Sequence, residues 1–99
     1  MALSEAQKRY LRGLGHKLNP VIQVGDAGLS EGLLAEFEST LSHHELIKVR
    51  VRATDRQARD AIIARLCEVS TAALIQRVGN VALLYRHNPD RQVIVLPDN

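Results

Sequence analysis

The stretch Val21-Ile22-Gln23-Val24-Gly25-Asp26-Ala27-Gly28-Leu29-Ser30 sets two glycines, three apart, between a short apolar run and a residue able to cap a helix. Glycines at such a junction can turn successive backbone amides toward one point. The helix that follows adds its own free N–H groups, and together these can cradle a phosphate. The same residues can also simply turn the chain, and the Asp26 carboxylate beside a phosphate would cost Coulomb energy. No Gly-Lys-Ser/Thr follows, so the loop is not a nucleotide-binding P-loop, and it lacks the third glycine and the later acidic position of a dinucleotide site. Taken alone, Gly25-Asp26-Ala27-Gly28 leaves a plain turn and a backbone phosphate clamp both open.

Cations are the second group able to do chemistry. Lys8, Arg9, Arg12 and His16 fall on one side of a helical wheel, and Lys17 follows them. Lys48, Arg50 and Arg52 alternate with Ile47, Val49 and Val51, so they project together from one face of a strand. Arg77 and Arg86 project from a later pair of apolar runs. The net charge is only +2, but residues 1–24 sum to +3, residues 25–47 to −5 without a single Lys or Arg, and residues 48–78 to +4. A surface polarised in this way suits a polyanion on one side. The basic helix face and basic strand face, beside the glycine loop, point to nucleic acid.

Other constellations carry less. His43-His44-Glu45 has adjacent histidines that diverge at a helix end, with no second pair or cysteine to complete a metal site. Ser30, Ser39, Ser42 and Ser70 sit in no nucleophile elbow, and Cys67, the only cysteine, has no base partner in view. Neither catalysis, a metal nor a cofactor is expected. The aromatics are few (Tyr10, Phe37, Tyr85), so base stacking on aromatic rings is not expected to dominate.

The elements that position these residues follow from caps and periodicity. Ser4-Glu5-Ala6-Gln7 reads as a capping box that opens a helix ending near Gly15, with Ala6, Tyr10, Leu11 and Leu14 as its apolar stripe. Val21 to Val24 reads as a short buried strand. Ser30 opens a second helix with the stripe Leu33, Leu34, Phe37 and Leu41, ended by His43-His44. Leu46 to Ala53 is the clearest strand. Asp55 caps a third helix whose Ala58, Ala61, Ile62, Leu66 and Val69 face the core, with Cys67 on its less apolar side. Ala73 to Val78 and Val81 to Tyr85 form a hairpin about Gly79-Asn80. That pairing puts Leu74, Val78, Val81, Leu83 and Tyr85 on one face, with Gln76 among them. Val93 to Leu96 adds an edge strand or a docked tail. The order α-β-α-β-α-β-β predicts one α/β domain with a mixed four-stranded sheet packed by helices. Ninety-nine residues fit a single domain. The start of the chain lacks a signal-peptide pattern, and no apolar run is long enough to span a membrane, so a cytoplasmic place and no membrane contact are expected.

At this level the chain resembles a known family. "QKRYLRGLGHKLNPVIQVGDAGLSEGLLAEFESTLSHHELIKVRV" followed by "VGNVALLYR" is similar to the CRM-domain family, of the small bacterial YhbY type, over nearly the whole chain. The most specific pieces are the stretch from Pro20 to Gly32, His43-His44-Glu45-Leu46-Ile47-Lys48-Val49, and Leu84-Tyr85-Arg86. The resemblance implies an RNA-binding protein linked in bacteria to precursors of the large ribosomal subunit. It implies a fold like the C-terminal domain of bacterial translation initiation factor three, with a GxxG loop likened to that of KH domains, here Gly25 to Gly28. Asp26 and Ala27 stand where family members often carry a basic residue. The expectation is therefore one CRM-type domain over residues 1–99, a monomer that binds ribosomal RNA and assists assembly without catalysis. The predicted contacts are Lys8, Arg9, Arg12, His16, Lys17, Gly25, Asp26, Ala27, Gly28, Lys48, Arg50, Arg52 and Arg86. The rival expectation is a protein-interaction adaptor on the ribosome that uses the acidic second helix.

Overall fold

A computed structural model describes residues 2–98. Helix α1 (Glu5–Gly15) starts where the capping box puts it: the Ser4 hydroxyl accepts from the Gln7 N–H at 3.1 Å, and Gln7 Oε1 accepts from the Ser4 N–H at 3.0 Å. Strand β1 (Pro20–Val24) leads through the glycine loop to α2 (Glu31–His44), capped by Ser30, whose hydroxyl accepts from the Leu33 N–H. Strand β2 (Leu46–Val51) is followed by α3 (Arg56–Ser70), where the Asp55 carboxylate accepts from the Ala58 N–H at 2.8 Å. Strands β3 (Ala73–Val78) and β4 (Val81–Tyr85) complete the predicted α-β-α-β-α-β-β order.

The four strands form one mixed sheet in the order β1-β2-β4-β3, with β1 parallel to β2 and the other pairs antiparallel. Two apolar clusters sandwich it. On one face Ile22, Val24, Ile47, Val49, Val51, Ala82 and Leu84 pack against Phe37 and Leu41 of α2 and Ile63 and Leu66 of α3. On the other, Leu46, Ile75, Leu83 and Tyr85 pack against Leu11 of α1, with Ile94 and Leu96 of the C-terminal tail alongside. The tail thus docks without becoming a strand. Gly15 lets α1 lie close on the sheet, since a β-carbon there would stand 2.6 Å from Leu83 Cδ2.

Three details depart from the sequence expectation. In α1 the buried residues are Leu11 and Gly15, while Tyr10 and Leu14 are exposed, because the helix meets the sheet along Leu11 and Gly15. In α3 the buried stripe is Arg59, Ile63, Leu66 and Ser70, and Val69 is exposed. Arg59, only 6% exposed, can lie inside because its guanidinium donates to the Gly79 carbonyl (3.1 Å), the Asn80 side chain (3.3 Å) and Asp60 (3.1 Å). Cys67 packs partly buried against the core, and burial pushes its thiol up. Finally, β3 shifts register between Leu74 and Gln76. That bulge sends Leu74 to the α2–α3 face, opposite Leu84, rather than to the α1 face with Leu83 and Tyr85.

Candidate nucleic-acid interface

Strand alternation and the bulge place two cross-strand rows on the α1 side of the sheet. One row runs Gln76–Leu83–Lys48–Pro20 and the next Val78–Val81–Arg50–Gln23. Helix α1 covers only part of this face. Beyond its C-terminal end lies an open groove of about 390 Å³, lined by His16, Asn19, Lys48, Arg50, Gln76 and Val78 among others. Val78 is 65% exposed there.

The cations predicted from sequence largely converge on this side. Lys8, Arg12 and His16 follow one another at four-residue spacing, a single row on a helix, with Arg9 beside it. That row ends at the groove, where His16 stands with Lys48 and Arg50. Lys17 lines a second hollow at the adjoining edge together with Lys48 and Val21. Arg52 continues β2, its N–H donating to the Val24 carbonyl at 2.9 Å, so it sits next to the glycine loop. The Val51 N–H donates to the Asn80 carbonyl at 2.8 Å and brings the hairpin turn to the same end of the sheet.

Their electrostatic state separates these residues from four of the six other arginines; Arg56, at the start of α3, and Arg91, beside His43, likewise have no carboxylate partner among the described residues. Among the described residues, no carboxylate pairs with Arg9, Arg12, Lys17, Lys48, Arg50 or Arg52; Lys8 alone of the group has Glu5, at a loose 3.8 Å. By contrast Arg59 and Arg77 share Asp60, Arg65 pairs with Glu68, and Arg86 pairs with Glu38. An unpaired cation keeps its full attraction for an external anion, whereas an internally neutralised one does not.

The structure does not bring Arg86 to this face. Its guanidinium binds Glu38 and Ser42 of α2 and donates to the Ser70 carbonyl at 3.0 Å, all on the opposite side of the sheet. The hydrogen bonds from Arg86 hold the Glu38 carboxyl below its usual range, against a smaller opposing effect of burial.

The glycine loop is a tight turn in which the Gly28 N–H donates to the Gly25 carbonyl at 3.0 Å. Gly28 has φ +71°, a left-handed conformation that favours glycine, whereas Gly25 does not. The Gly28 amide is thus spent on closing the turn. The amides of Asp26 and Ala27 meet no acceptor among the described residues, and those of Glu31 and Gly32 lie free in the first turn of α2. What remains, among the described residues, is a small set of unpaired N–H groups close in the fold to Arg52.

Sequence reasoning missed three participants. Gln76 and Asn19 bring side-chain amides into the groove, and Arg59 holds the hairpin turn beside it. The bulge that aims Gln76 leaves no local composition signal. Glycine after a strand did announce the turn that Arg59 grips. Among the described residues no cluster of His, Cys, Asp and Glu could hold a metal ion, and no helix is long and apolar enough to cross a membrane.

The chain is similar to known proteins over nearly its whole length. Residues 3–86 match the CRS1/YhbY (CRM) domain. The chain is 45% identical over 91 residues to an RNA-binding protein of Haemophilus influenzae, covering 92% of each chain. It is 33% identical over 95 residues to YqeI of Bacillus subtilis, covering 96% of this chain and 99% of that one. The solution structure of a Staphylococcus aureus protein superposes with a TM-score of 0.81 at 33% identity, covering 97% of this chain and all of the other.

Proposed function

The chain belongs to the CRS1/YhbY (CRM) domain family, and on that premise we propose that residues 1–99 form one RNA-binding domain that acts on ribosomal RNA in precursors of the large subunit and assists their assembly without catalysis. The observation that carries the binding half is a cluster of unpaired cations: among the described residues Arg9, Arg12, Lys17, Lys48, Arg50 and Arg52 lack carboxylate partners and share the α1 side of the sheet or its loop end. Phosphate contacts of this kind supply sequence-independent affinity and release counterions on binding. The name of the Haemophilus relative supports the same reading. The ribosomal target rests on what membership of the family implies.

A salt titration of RNA binding tests the interface. Arg50→Glu should weaken binding to precursor large-subunit RNA and flatten the dependence of log affinity on log salt by about one unit, the loss of one phosphate contact. Arg65→Glu, on an exposed helix position outside that face, should change neither beyond the general effect of net charge. Equal losses in the two variants would remove the face from the reading. The ribosomal half stands on co-sedimentation: the protein should travel with precursor large subunits and crosslink to their RNA, and crosslinks confined to ribosomal proteins would overturn it.

A further inference from the structure

The groove beside α1 holds more than charge. We propose that it takes one unpaired nucleotide of the bound RNA, an inference that rests on the RNA-binding reading above and says which form of RNA the site prefers. A duplex offers this surface mainly its phosphates and 2′-hydroxyls, its base edges being held in pairs. Two uncharged side-chain amides, Gln76 and Asn19, nevertheless line the groove among His16, Lys48 and Arg50. An amide presents a donor and an acceptor side by side, which adds little to phosphate attraction but matches the edge of a base that has left its pair.

The backbone of β3 is shaped to put one of those amides there. Ile75 packs in the cluster with Leu11 and Leu83, and Gln76, the next residue, stands opposite Leu83 on the same side of the sheet. Successive residues of a regular strand point to opposite faces; the bulge is what allows Ile75 to fill the core while Gln76 reaches the groove. Val78 and Val81, paired across the hairpin in the next row, give an apolar surface against which a base can lie flat. Arg50, opposite Val81 and free of any carboxylate among the described residues, has a guanidinium plane suited to cover the other side of that base. Lys48 and His16 then stand at the flanks for the neighbouring phosphates.

The test compares a stem–loop RNA with a blunt duplex of equal length and composition, by fluorescence anisotropy at fixed salt. The parent protein should prefer the stem–loop, and Gln76→Leu, which keeps the size of the side chain, should lower stem–loop affinity about tenfold and duplex affinity far less. Equal loss on both RNAs, no loss on either, or a parent that binds the duplex as tightly as the stem–loop would overturn the groove while leaving RNA binding intact. A parent that binds neither RNA would remove the RNA-binding reading itself, and the groove's occupant with it. A thermal melt checks that the variant folds. Should it not, the parent's Gln76 side-chain amide resonances decide: they should move on addition of stem–loop and stay in place with duplex, and stationary resonances would sink the proposal.

Discussion

Glu45 has an unusual place for a carboxylate: it is fully buried, with φ +67°. Its oxygens accept from the backbone N–H groups of Asn88 (2.7 Å), Val93 (2.8 Å) and Ile94 (2.7 Å), and His87 Nδ1 lies 3.2 Å away. Burial opposes the charged form, but the three amides and His87 more than offset it, so the carboxyl lies below its ordinary range. A carboxyl with a depressed folded pKa stabilises the fold above the normal carboxylate range, and that stabilisation is lost as falling pH protonates the native state. Glu45→Gln replaces one acceptor oxygen with an N–H₂ facing a backbone donor, and at pH 7 it should cost about 2 kcal/mol. In urea melts from neutral to acidic pH the gap between parent and variant should narrow as pH falls through the carboxylate range. Glu38, also depressed, titrates in both proteins and drops out of the difference. A gap that stays constant would show that charge at Glu45 does not hold the tail. None of this is legible in the sequence, where Glu45 looks like the third member of a failed metal triplet. Its partners lie 42 to 49 positions downstream. The neutralisation of Arg86 is illegible for the same reason, since the carboxylate that pairs with it is 48 positions away.

Elements were legible where their signals are local. Ser4, Ser30 and Asp55 each accept from an amide three positions on, so the starts of all three helices could be read from neighbouring residues. Helix phase was less so. Hydropathy cannot show that Arg59 is buried, because what admits it is a hairpin turn 20 positions later that absorbs its donors. The β3 bulge is equally silent, being fixed by how β3 meets β4. The glycine loop falls between these cases: its position was evident, but not that the Gly28 amide closes the turn upon Gly25. Two substitutions separate its conformation from its role. Asparagine tolerates a left-handed backbone and valine does not, while a β-carbon at Gly28 would meet nothing within 4 Å. Gly28→Asn should therefore keep near-parent stability and RNA affinity. Gly28→Val should lose about 1 to 2 kcal/mol of stability and bind RNA several-fold more weakly. A folded Gly28→Val protein with parent affinity would reduce the loop to a turn and leave recognition to the basic faces alone.

Across the whole molecule the sheet works as a partition. Its α1 side carries most of the cations that are unpaired among the described residues, and its other side carries α2, where Glu31 and Glu36 are exposed and Glu38 is taken up by Arg86. The acidic segment of the sequence therefore lies, as α2, across the sheet from the basic row, while α3 beside it carries both signs. This arrangement favours one orientation on a polyanion, basic side inward, and suppresses the reverse through like-charge repulsion. It also keeps an acidic surface turned outward, which is what the adaptor alternative would use to meet a basic ribosomal protein. Glu31→Gln with Glu36→Gln decides between them, because it removes the outward charge without creating a new cation. Both positions are exposed, so stability should change by less than about 0.5 kcal/mol apart from the small favourable effect of Glu31 on the α2 dipole. If RNA carries the association, co-sedimentation of the double variant with precursor large subunits should match the parent at every salt concentration. It should also weaken with rising salt along the same slope. If α2 is the contact, the variant should leave the subunits while still binding free RNA as the parent does, an outcome that would transfer the docking role to the acidic helix.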